Sequence, residues 1–163
     1  MTVQSDGVGK GCRFEVCLPH LREEQISAKF EPQALNPAAP SKALRVMVVD
    51  DNADAAEMLA MLIEALGHQV VVEHHPNRAL ERAPIETPEV FLLDIGLPDM
   101  DGNEMARRLR MHPETTKAIL IAVTGYGQEQ DRDAALNAGF DHYFSKPIDS
   151  AKLASLLAEI NNK

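Results

Sequence analysis

The pattern of apolar and polar residues changes its period repeatedly along residues 44–163. Five short apolar runs, most of them rich in β-branched residues, have the length and composition of strands. The segments that follow them carry apolar residues at the spacing of an amphipathic helix. The predicted strands are 45–49, 69–74, 89–94, 118–124 and 140–145, and the predicted helices are a segment stopped by Gly67, then 76–83, 102–111, 128–139 and 149–160.

Two of the predicted helices carry more detailed signals. Asp101 and Glu104 stand three residues apart at the start of helix 102–111, a spacing suited to N-terminal capping. In the first helix, one apolar stripe is predicted from the residues at helical spacing. These residues are Met58, Leu59, Leu62, Ile63 and Leu66.

The alternation of strand and helix predicts one doubly wound α/β domain with a five-stranded parallel sheet. Parallel strands have to be joined by crossover segments, and these crossovers are right-handed. Helices then cover both faces of the sheet, which is why the strands are apolar along most of their length.

Residues 1–43 lack this alternation and are predicted to lie outside the α/β domain. Residues 1–19 predict two strands joined by a glycine-rich turn. Residues 20–43 contain three prolines and no sustained apolar period, which is typical of a linker. The predicted organisation is therefore a hairpin at 1–19, a linker at 20–43 and the α/β domain at 44–163.

Composition and charge argue against two classes of partner. The formal net charge is -9 and the isoelectric point is about 5.1, so a basic surface for nucleic acid or for an anionic membrane is missing. No apolar stretch approaches the length that crosses a bilayer, and the first residues lack the features of a signal peptide. We therefore expect a cytoplasmic protein that binds neither nucleic acid nor membrane through this chain.

Polar residues follow the predicted strands where the apolar runs end. Asp50 and Asp51 come after the first strand, Asp94 ends the third, Thr124 ends the fourth, and Lys146 comes after the fifth. Ligands of doubly wound sheets bind outside the carboxyl ends of the strands. We therefore expect three carboxylates, one hydroxyl and one ammonium to meet at one edge of the sheet. The six histidines, in contrast, are expected to be solvated rather than to act as ligands.

This set of side chains predicts a site for a divalent cation and a phosphoryl group. Three neighbouring carboxylates repel one another unless a cation compensates their charge. Mg²⁺ is the expected cation, because it prefers oxygen ligands and binds through few carboxylates. A lysine beside the cation can stabilise phosphate oxygens while an aspartate attacks phosphorus. The site is therefore predicted to form an aspartyl phosphate.

Four motifs make residues 44–163 resemble the receiver domain of two-component response regulators. The motifs are VVDDN with Asp50 and Asp51, LLDIGLPDMDG with Asp94, AVTGYG with Thr124 and FSKP with Lys146. The intervals of 43, 30 and 22 residues between Asp51, Asp94, Thr124 and Lys146 match those of the family. The resemblance implies a flavodoxin-like (βα)5 fold and a phosphoacceptor module of a phosphorelay, not an enzyme and without an organic cofactor.

The resemblance also implies a role for each residue of the site. Asp94 would be the phosphoacceptor, and Lys146 would pair with the phosphoryl group. Asp51 and Asp94 would bind Mg²⁺ directly, Asp50 would act largely through water, and the backbone carbonyl of Gly96 would fill another position of the metal.

A conformational switch is a further implication of the resemblance. Thr124 would be drawn toward the phosphoryl group, and Tyr143 would turn inward into the space that opens. These movements would reshape the face made by the fourth helix, fifth strand and fifth helix, where a partner reads the signal. The Lys146–Pro147 peptide is expected to be cis.

The first 19 residues carry a second resemblance, to the last hairpin of the ATP-binding domain of sensor histidine kinases. There a glycine-rich turn precedes a strand similar to CRFEVCLP. The chain would then be the C-terminal portion of a hybrid sensor kinase, without the rest of its catalytic domain. The implied partners are a histidine kinase core, a histidine phosphotransfer protein, or both, and a homodimer is possible.

Three alternatives remain open at this point. The acids could merely cap helices, with Asp50 or Asp51 on the first helix and Asp101 on the third. The chain could be a stand-alone receiver that acts by binding a partner. An enzyme or flavoprotein of similar architecture is the third alternative, although a haloacid-dehalogenase-type phosphatase would need an aspartate where Gly96 stands.

Overall fold

A computed structural model describes residues 2–4, 7, 11–15, 42–125 and 129–162 of the chain. The chain divides into two compact units, 1–36 and 37–163. In the first unit, β1 (Thr2–Gln4) pairs antiparallel with β2 (Arg13–Glu15), in agreement with the two predicted strands. The predicted linker falls outside the described residues up to position 41.

The second unit contains five strands and five helices among its described residues, and they alternate as predicted. Apart from the end of the second helix, the ends that the sequence predicts lie within two residues of those in the structure, the usual uncertainty of element boundaries. The elements are β3 (Arg45–Val49), α1 (Ala53–Ala65), β4 (Gln69–Glu73), α2 (Pro76–Glu86), β5 (Val90–Asp94), α3 (Gly102–Met111), β6 (Ile119–Thr124), α4 (Glu129–Ala138), β7 (His142–Ser145) and α5 (Ser150–Asn161).

The five strands form one parallel sheet in the order β4-β3-β5-β6-β7. The strand order reverses direction between β3 and β5, so the loops that follow these two strands border the crevice at the switch point of the sheet. This arrangement confirms the predicted doubly wound (βα)5 fold.

Successive residues of each strand face two separate cores, one on each side of the sheet. Met47, Phe91 and Leu120 lie on one face and pack with buried residues of α2, α3 and α4. Val48 and Leu92, which alternate with them, lie on the other face and pack with α1 and α5. Because both faces are covered, the three inner strands β3, β5 and β6 carry unbroken apolar runs, and these runs mark them in the sequence.

Two details of the helices differ from the prediction. Met58 was expected in the apolar stripe of α1, but it is 73% exposed, and the buried residues of α1 are Ala56, Ala60 and Ile63. Met58 lies two residues from both Ala56 and Ala60, so it stands on the opposite side of the helix, because one turn takes about 3.6 residues. Helix α2 was expected to end before Pro84 but continues to Glu86. A proline removes a single backbone donor, and the helix ends with the N–H of Thr87 bonded to the carbonyl of Ala83 at 2.9 Å.

Arg110 at the end of α3 ties together the amino ends of β6 and β7. Its guanidinium donates to the carbonyls of Thr116, Ala118 and Gly139 at 2.9, 2.6 and 2.9 Å. It also donates to the carboxylate of Asp141 at 2.6 Å, which in turn accepts the N–H of Leu120. The planar fork of arginine suits such a set of diverging acceptors.

The amino edge of the sheet also holds the residues that join the linker to the domain. Lys42 forms an ion pair with Glu89, and Glu89 accepts the backbone N–H of Arg45 at 3.2 Å. Leu44 is buried, and its N–H donates to Nδ1 of His68 at 3.3 Å. His68 is only 8% exposed, so the expectation that this histidine is solvated was wrong.

In the described part of the chain, no helix is long and apolar enough to cross a membrane.

The environment of His68 predicts that folding depends on pH. Burial lowers the pKa of His68 from its usual value, which is about 6.5 in an unfolded chain. Below about pH 6.5 the unfolded state therefore binds more protons than the folded state, and the free energy of unfolding falls as the pH falls. Chemical denaturation between about pH 7 and 5 should show this loss, with up to about 1.4 kcal/mol per pH unit from this group.

His68→Asn is the matched variant, because its amide oxygen can accept the N–H of Leu44 without titrating. We expect a shallower pH dependence for His68→Asn, and the wild-type slope for His75→Asn, which changes an exposed histidine. An unchanged slope in His68→Asn would assign the pH dependence to other groups.

Candidate functional site

The polar residues predicted at the carboxyl edge of the sheet meet there. Asp50 follows β3, Asp94 is the last residue of β5, and Lys146 follows β7. Carboxylate oxygens of Asp50, Asp51 and Asp94 lie within 4.8 Å of one another. Asp50 and Asp94 are buried, whereas Asp51 is exposed. The cluster is therefore open to solvent on the side of Asp51.

Lys146 connects the two buried carboxylates. Its Nζ donates to Oδ2 of Asp50 and to Oδ2 of Asp94, both at 2.7 Å. The backbone N–H of Lys146 donates to the carbonyl of Thr124 at 2.7 Å, which continues the pairing of β6 and β7 beyond β7. A buried carboxylate is costly unless it is paired and hydrogen-bonded, and here one ammonium serves two of them.

Opposing effects act on the ammonium of Lys146. Desolvation lowers its pKa, but the hydrogen bonds and charges of Asp50 and Asp94 together outweigh burial and raise the pKa above the ordinary value. The side chain is about one-third exposed, so it keeps contact with solvent. Lys146 therefore stays charged at neutral pH and can face either a carboxylate or another anion.

The second oxygen of each buried carboxylate is held by its own loop. Oδ1 of Asp50 accepts the N–H of Asn52 at 3.0 Å, and Oδ1 of Asp94 accepts the N–H of Gly96 at 2.9 Å. Both carboxylates are thus fixed at two oxygens. These bonds fix the direction of each carboxylate group.

Helix capping does not account for the acid pair after β3. The N-cap of α1 is Asn52, whose side chain accepts the N–H of Ala55 at 3.1 Å. The alternative in which Asp50 or Asp51 caps this helix was therefore wrong. Asp101 does cap α3, as predicted, by accepting the N–H of Glu104 at 2.7 Å.

The donor set fits a hard divalent cation. The cluster offers three carboxylates and no nitrogen or sulfur ligand, which is the chemistry that Mg²⁺ and Ca²⁺ prefer. Gly96 is exposed, and a β-carbon on it would meet Oδ1 of Asp94 at 3.6 Å, an ordinary contact distance. The absence of a side chain at position 96 keeps this side of Asp94 open. The carbonyl of Gly96 as a ligand remains a prediction.

Thr124 and Tyr143 occupy the positions expected of them in the fold. Thr124 is buried at the carboxyl end of β6, and Tyr143 is half-buried and packs against the core on the α3 and α4 side of the sheet. Their movement remains a prediction. The Lys146–Pro147 peptide is cis, as expected.

Sequence reasoning missed two residues beside the site. His74 was expected to be solvated, but it is half-buried and bonds to the carbonyl of Asp50. Gly102 at the start of α3 packs against the backbone after β5, and its N–H donates to the carbonyl of Ile95 at 3.0 Å. A glycine at the first helical position is a weak helix former, and this was the one signal in the sequence that could have marked Gly102.

Comparisons with known proteins agree with this geometry. The family model of the response regulator receiver domain matches residues 46–158. The signal transduction histidine-protein kinase BarA of Escherichia coli (strain K12) is 32% identical over 115 residues, which cover 71% of this chain. The match spans only 12% of the length of that kinase.

Solved structures give the same result for the fold. A response regulator receiver domain protein from Methanospirillum hungatei JF-1 has a TM-score of 0.67 at 28% identity, covering 74% of this chain and 95% of that one. The receiver domain of a sensor histidine kinase from Pseudomonas aeruginosa PAO1 has a TM-score of 0.69 at 24% identity, covering 75% of this chain and 100% of that one. In that structure a magnesium ion is coordinated in the active-site cleft. The flavodoxin-like fold is thereby confirmed.

Close packing at Gly102 predicts that even one added methyl group will disturb the site. A β-carbon at this position would lie 2.5 Å from the carbonyl oxygen of Asp94 and 2.8 Å from Cα of Ile95. Both are backbone atoms, so Gly102→Ala has to displace α3 or the segment after β5. We expect a loss of about 1–3 kcal/mol in the free energy of unfolding, measured by urea denaturation.

Gly125→Ala is the control, because a β-carbon there meets no atom of the described residues within 4 Å. This variant should stay within about 0.5 kcal/mol of wild type. Equal stability of Gly102→Ala and wild type would mean that the approach of α3 to Asp94 is looser than the structure shows.

Proposed function

The chain belongs to the response regulator receiver domain family, as predicted, and on that premise we propose that Asp94 accepts a phosphoryl group from phosphohistidine. The observation that carries the proposal is the contact of Lys146 Nζ with Asp94 inside a cluster of three acids. An ammonium and a candidate metal site next to one carboxylate match what phosphoryl transfer to aspartate needs.

The chemistry follows from the orientation of Asp94. One carboxylate oxygen attacks phosphorus and forms the new O–P bond, while the N–P bond to the donor imidazole breaks and that nitrogen keeps the electron pair. The other oxygen becomes the acyl oxygen of the aspartyl phosphate. The N–H of Gly96, which donates to Oδ1 in the structure, holds the carboxylate in a fixed direction during the attack.

Lys146 is placed to contact the negative charge of Asp94 before transfer and that of the phosphoryl group after transfer. Before transfer its ammonium forms an ion pair with Asp50 and with Asp94. After transfer the charge of Asp94 resides on phosphoryl oxygens, and the flexible lysine can turn to them while it keeps its bond to Asp50. Asp50 then serves as the fixed partner of Lys146 in both states.

Mg²⁺ is the cation that we assign to the acid cluster. Asp51 and Asp94 would hold it directly, Asp50 through water, and Gly96 through its carbonyl. The magnesium ion in the related receiver from Pseudomonas aeruginosa supports this assignment. When bound, it would supply positive charge to the oxygens of the transferring group.

The module would pass on its signal through a change in the conformation of one of its surfaces. Phosphorylation would draw Thr124 toward the phosphoryl group and let Tyr143 turn inward, which changes the face formed by α4, β7 and α5. Leu136 on α4 is exposed and belongs to the same part of the domain, so an apolar contact is available to a partner there.

The donor is a histidine kinase core or a histidine phosphotransfer protein of the same pathway. Similarity to BarA supports a place in a hybrid sensor kinase, with residues 1–19 as the last hairpin of its ATP-binding domain. Residues 20–43 would then be the linker and 44–163 the receiver domain. The second candidate is a stand-alone regulator that acts by partner binding, and the receiver domain protein from Methanospirillum hungatei, which the match covers over 95% of its chain, supports it.

Loss of the adduct in Asp94→Asn is the main test. Wild-type protein with Mg²⁺ and acetyl phosphate should gain one phosphoryl group per chain, detected by intact mass, and Asp94→Asn should gain none. Asp99→Asn is the matched control, because Asp99 is an exposed acid in the same loop and its positive φ suits asparagine. An equal adduct in Asp94→Asn and wild type would remove Asp94 from its role.

Asp51→Asn should need a higher Mg²⁺ concentration than wild type to reach the same amount of adduct. An unchanged Mg²⁺ requirement would contradict the place of Asp51 in the metal site.

Removal of residues 1–41 tests the domain boundary. The shortened chain keeps Lys42 and buried Leu44, which contact the domain. We therefore expect the same phosphoryl adduct and the same free energy of unfolding as for the full chain. Loss of either property would mean that the first 41 residues belong to the receiver fold.

A further inference from the structure

The end of β4 holds both backbone groups of Asp50. The N–H of Asp50 donates to the carbonyl of Glu73 at 3.2 Å, which continues the parallel pairing of β3 and β4 by one residue. The carbonyl of Asp50 lies 3.0 Å from Nδ1 of His74. A carbonyl can only accept, so Nδ1 of His74 carries the hydrogen and donates it.

The ring of His74 takes a place that belongs to the backbone in a regular sheet. In a continued parallel ladder, the next donor to the Asp50 carbonyl would be the N–H of residue 75. The chain turns at that point, because His75 is the N-cap of α2 and Pro76 is its first residue. The side chain of His74 therefore supplies the donor where the strand has ended.

The hydrogen bond from His74 bears on the direction of Asp51. The carbonyl of Asp50 and the N–H of Asp51 belong to one planar peptide, so a bond to the former fixes the orientation of the latter. Among the described residues, no hydrogen bond or ion pair restrains the carboxylate of Asp51. The position of Asp51 therefore depends on the backbone that carries it, whereas the carboxylates of Asp50 and Asp94 are also held by Lys146.

The end of β4 is itself well anchored. Glu73 is buried, and its carboxylate accepts from Nη1 of Arg82 on α2 at 2.6 Å, with Arg78 at 3.9 Å. His74 follows directly after this ion pair. The ring consequently projects from a segment that is fixed to both the sheet and α2.

We propose that His74 is a positioning residue of the metal site, which holds the peptide between Asp50 and Asp51 so that the Asp51 carboxylate faces Asp94. This inference rests on the proposed function, because the proposed function makes Asp51 a ligand of Mg²⁺. Groups that orient metal ligands without touching the metal commonly change metal affinity by about 10–100-fold when they are removed.

Three variants separate positioning from general stability. His74→Leu removes the donor at similar volume, His74→Asn keeps an amide donor near the place of Nδ1, and His75→Leu changes the exposed neighbour. Calorimetric titration with MgCl₂ should give about tenfold weaker binding for His74→Leu, and affinities within about twofold of wild type for the other two. The amide ¹⁵N and ¹H shifts of Asp51, recorded without metal, should move in His74→Leu and largely return in His74→Asn.

The readouts distinguish failure of this inference from failure of the proposed function. Equal Mg²⁺ affinity in His74→Leu and wild type would overturn the role of His74, and so would loss of affinity in His74→Asn equal to that in His74→Leu. Wild-type protein that binds no Mg²⁺ would instead overturn the proposed metal site, and the Asp51 shifts would then decide whether His74 fixes the peptide. If His74→Leu does not fold, His74→Ala replaces it, with the same criteria.

Discussion

The whole arrangement depends on one ammonium group between two buried carboxylates. Asp50 and Asp94 stand on neighbouring strands, and they could not both be charged at this depth without a compensating cation. Lys146 reaches them from β7, two strands away from β5, because its backbone is paired with that of Thr124. The site therefore exists only when β3, β5, β6 and β7 all end at the same level, and folding and function share this requirement.

The sheet satisfies that requirement through its two cores. Every strand of the domain sends alternate residues to opposite faces, and helices cover each face. Apolar packing thus fixes the register without using any residue of the site. The acids and the lysine lie just beyond the last apolar residue of their strands, where the ladder ends and the loops begin. The residues at the carboxyl edge of the sheet can therefore vary while the two apolar cores stay the same, as is common in doubly wound folds.

Most of the fold and the main residues of the site could be predicted, because each depends on a pattern along one segment. Continuous apolar runs predict buried parallel strands, and their carboxyl ends must meet at one edge. The remaining details depend on contacts between segments. His74 reaches Asp50 only because β4 ends and turns at that point, and Gly102 is required by the close approach of α3 to Asp94. Met58 is exposed because α1 turns Ala56, on its opposite side, toward the core. Hydrophobicity along the chain carries no information on how closely two elements approach.

The cluster around Arg110 has a consequence for how the domain can deform. One side chain joins the end of α3 to the segments that lead into β6 and β7, at the edge opposite the acids. These hydrogen bonds hold the amino ends of β6 and β7 together, so the two strands can separate more easily at their carboxyl ends. Displacement that begins among the carboxylates is therefore expected at the carboxyl ends of β6 and β7, while the amino ends of the two strands keep their positions.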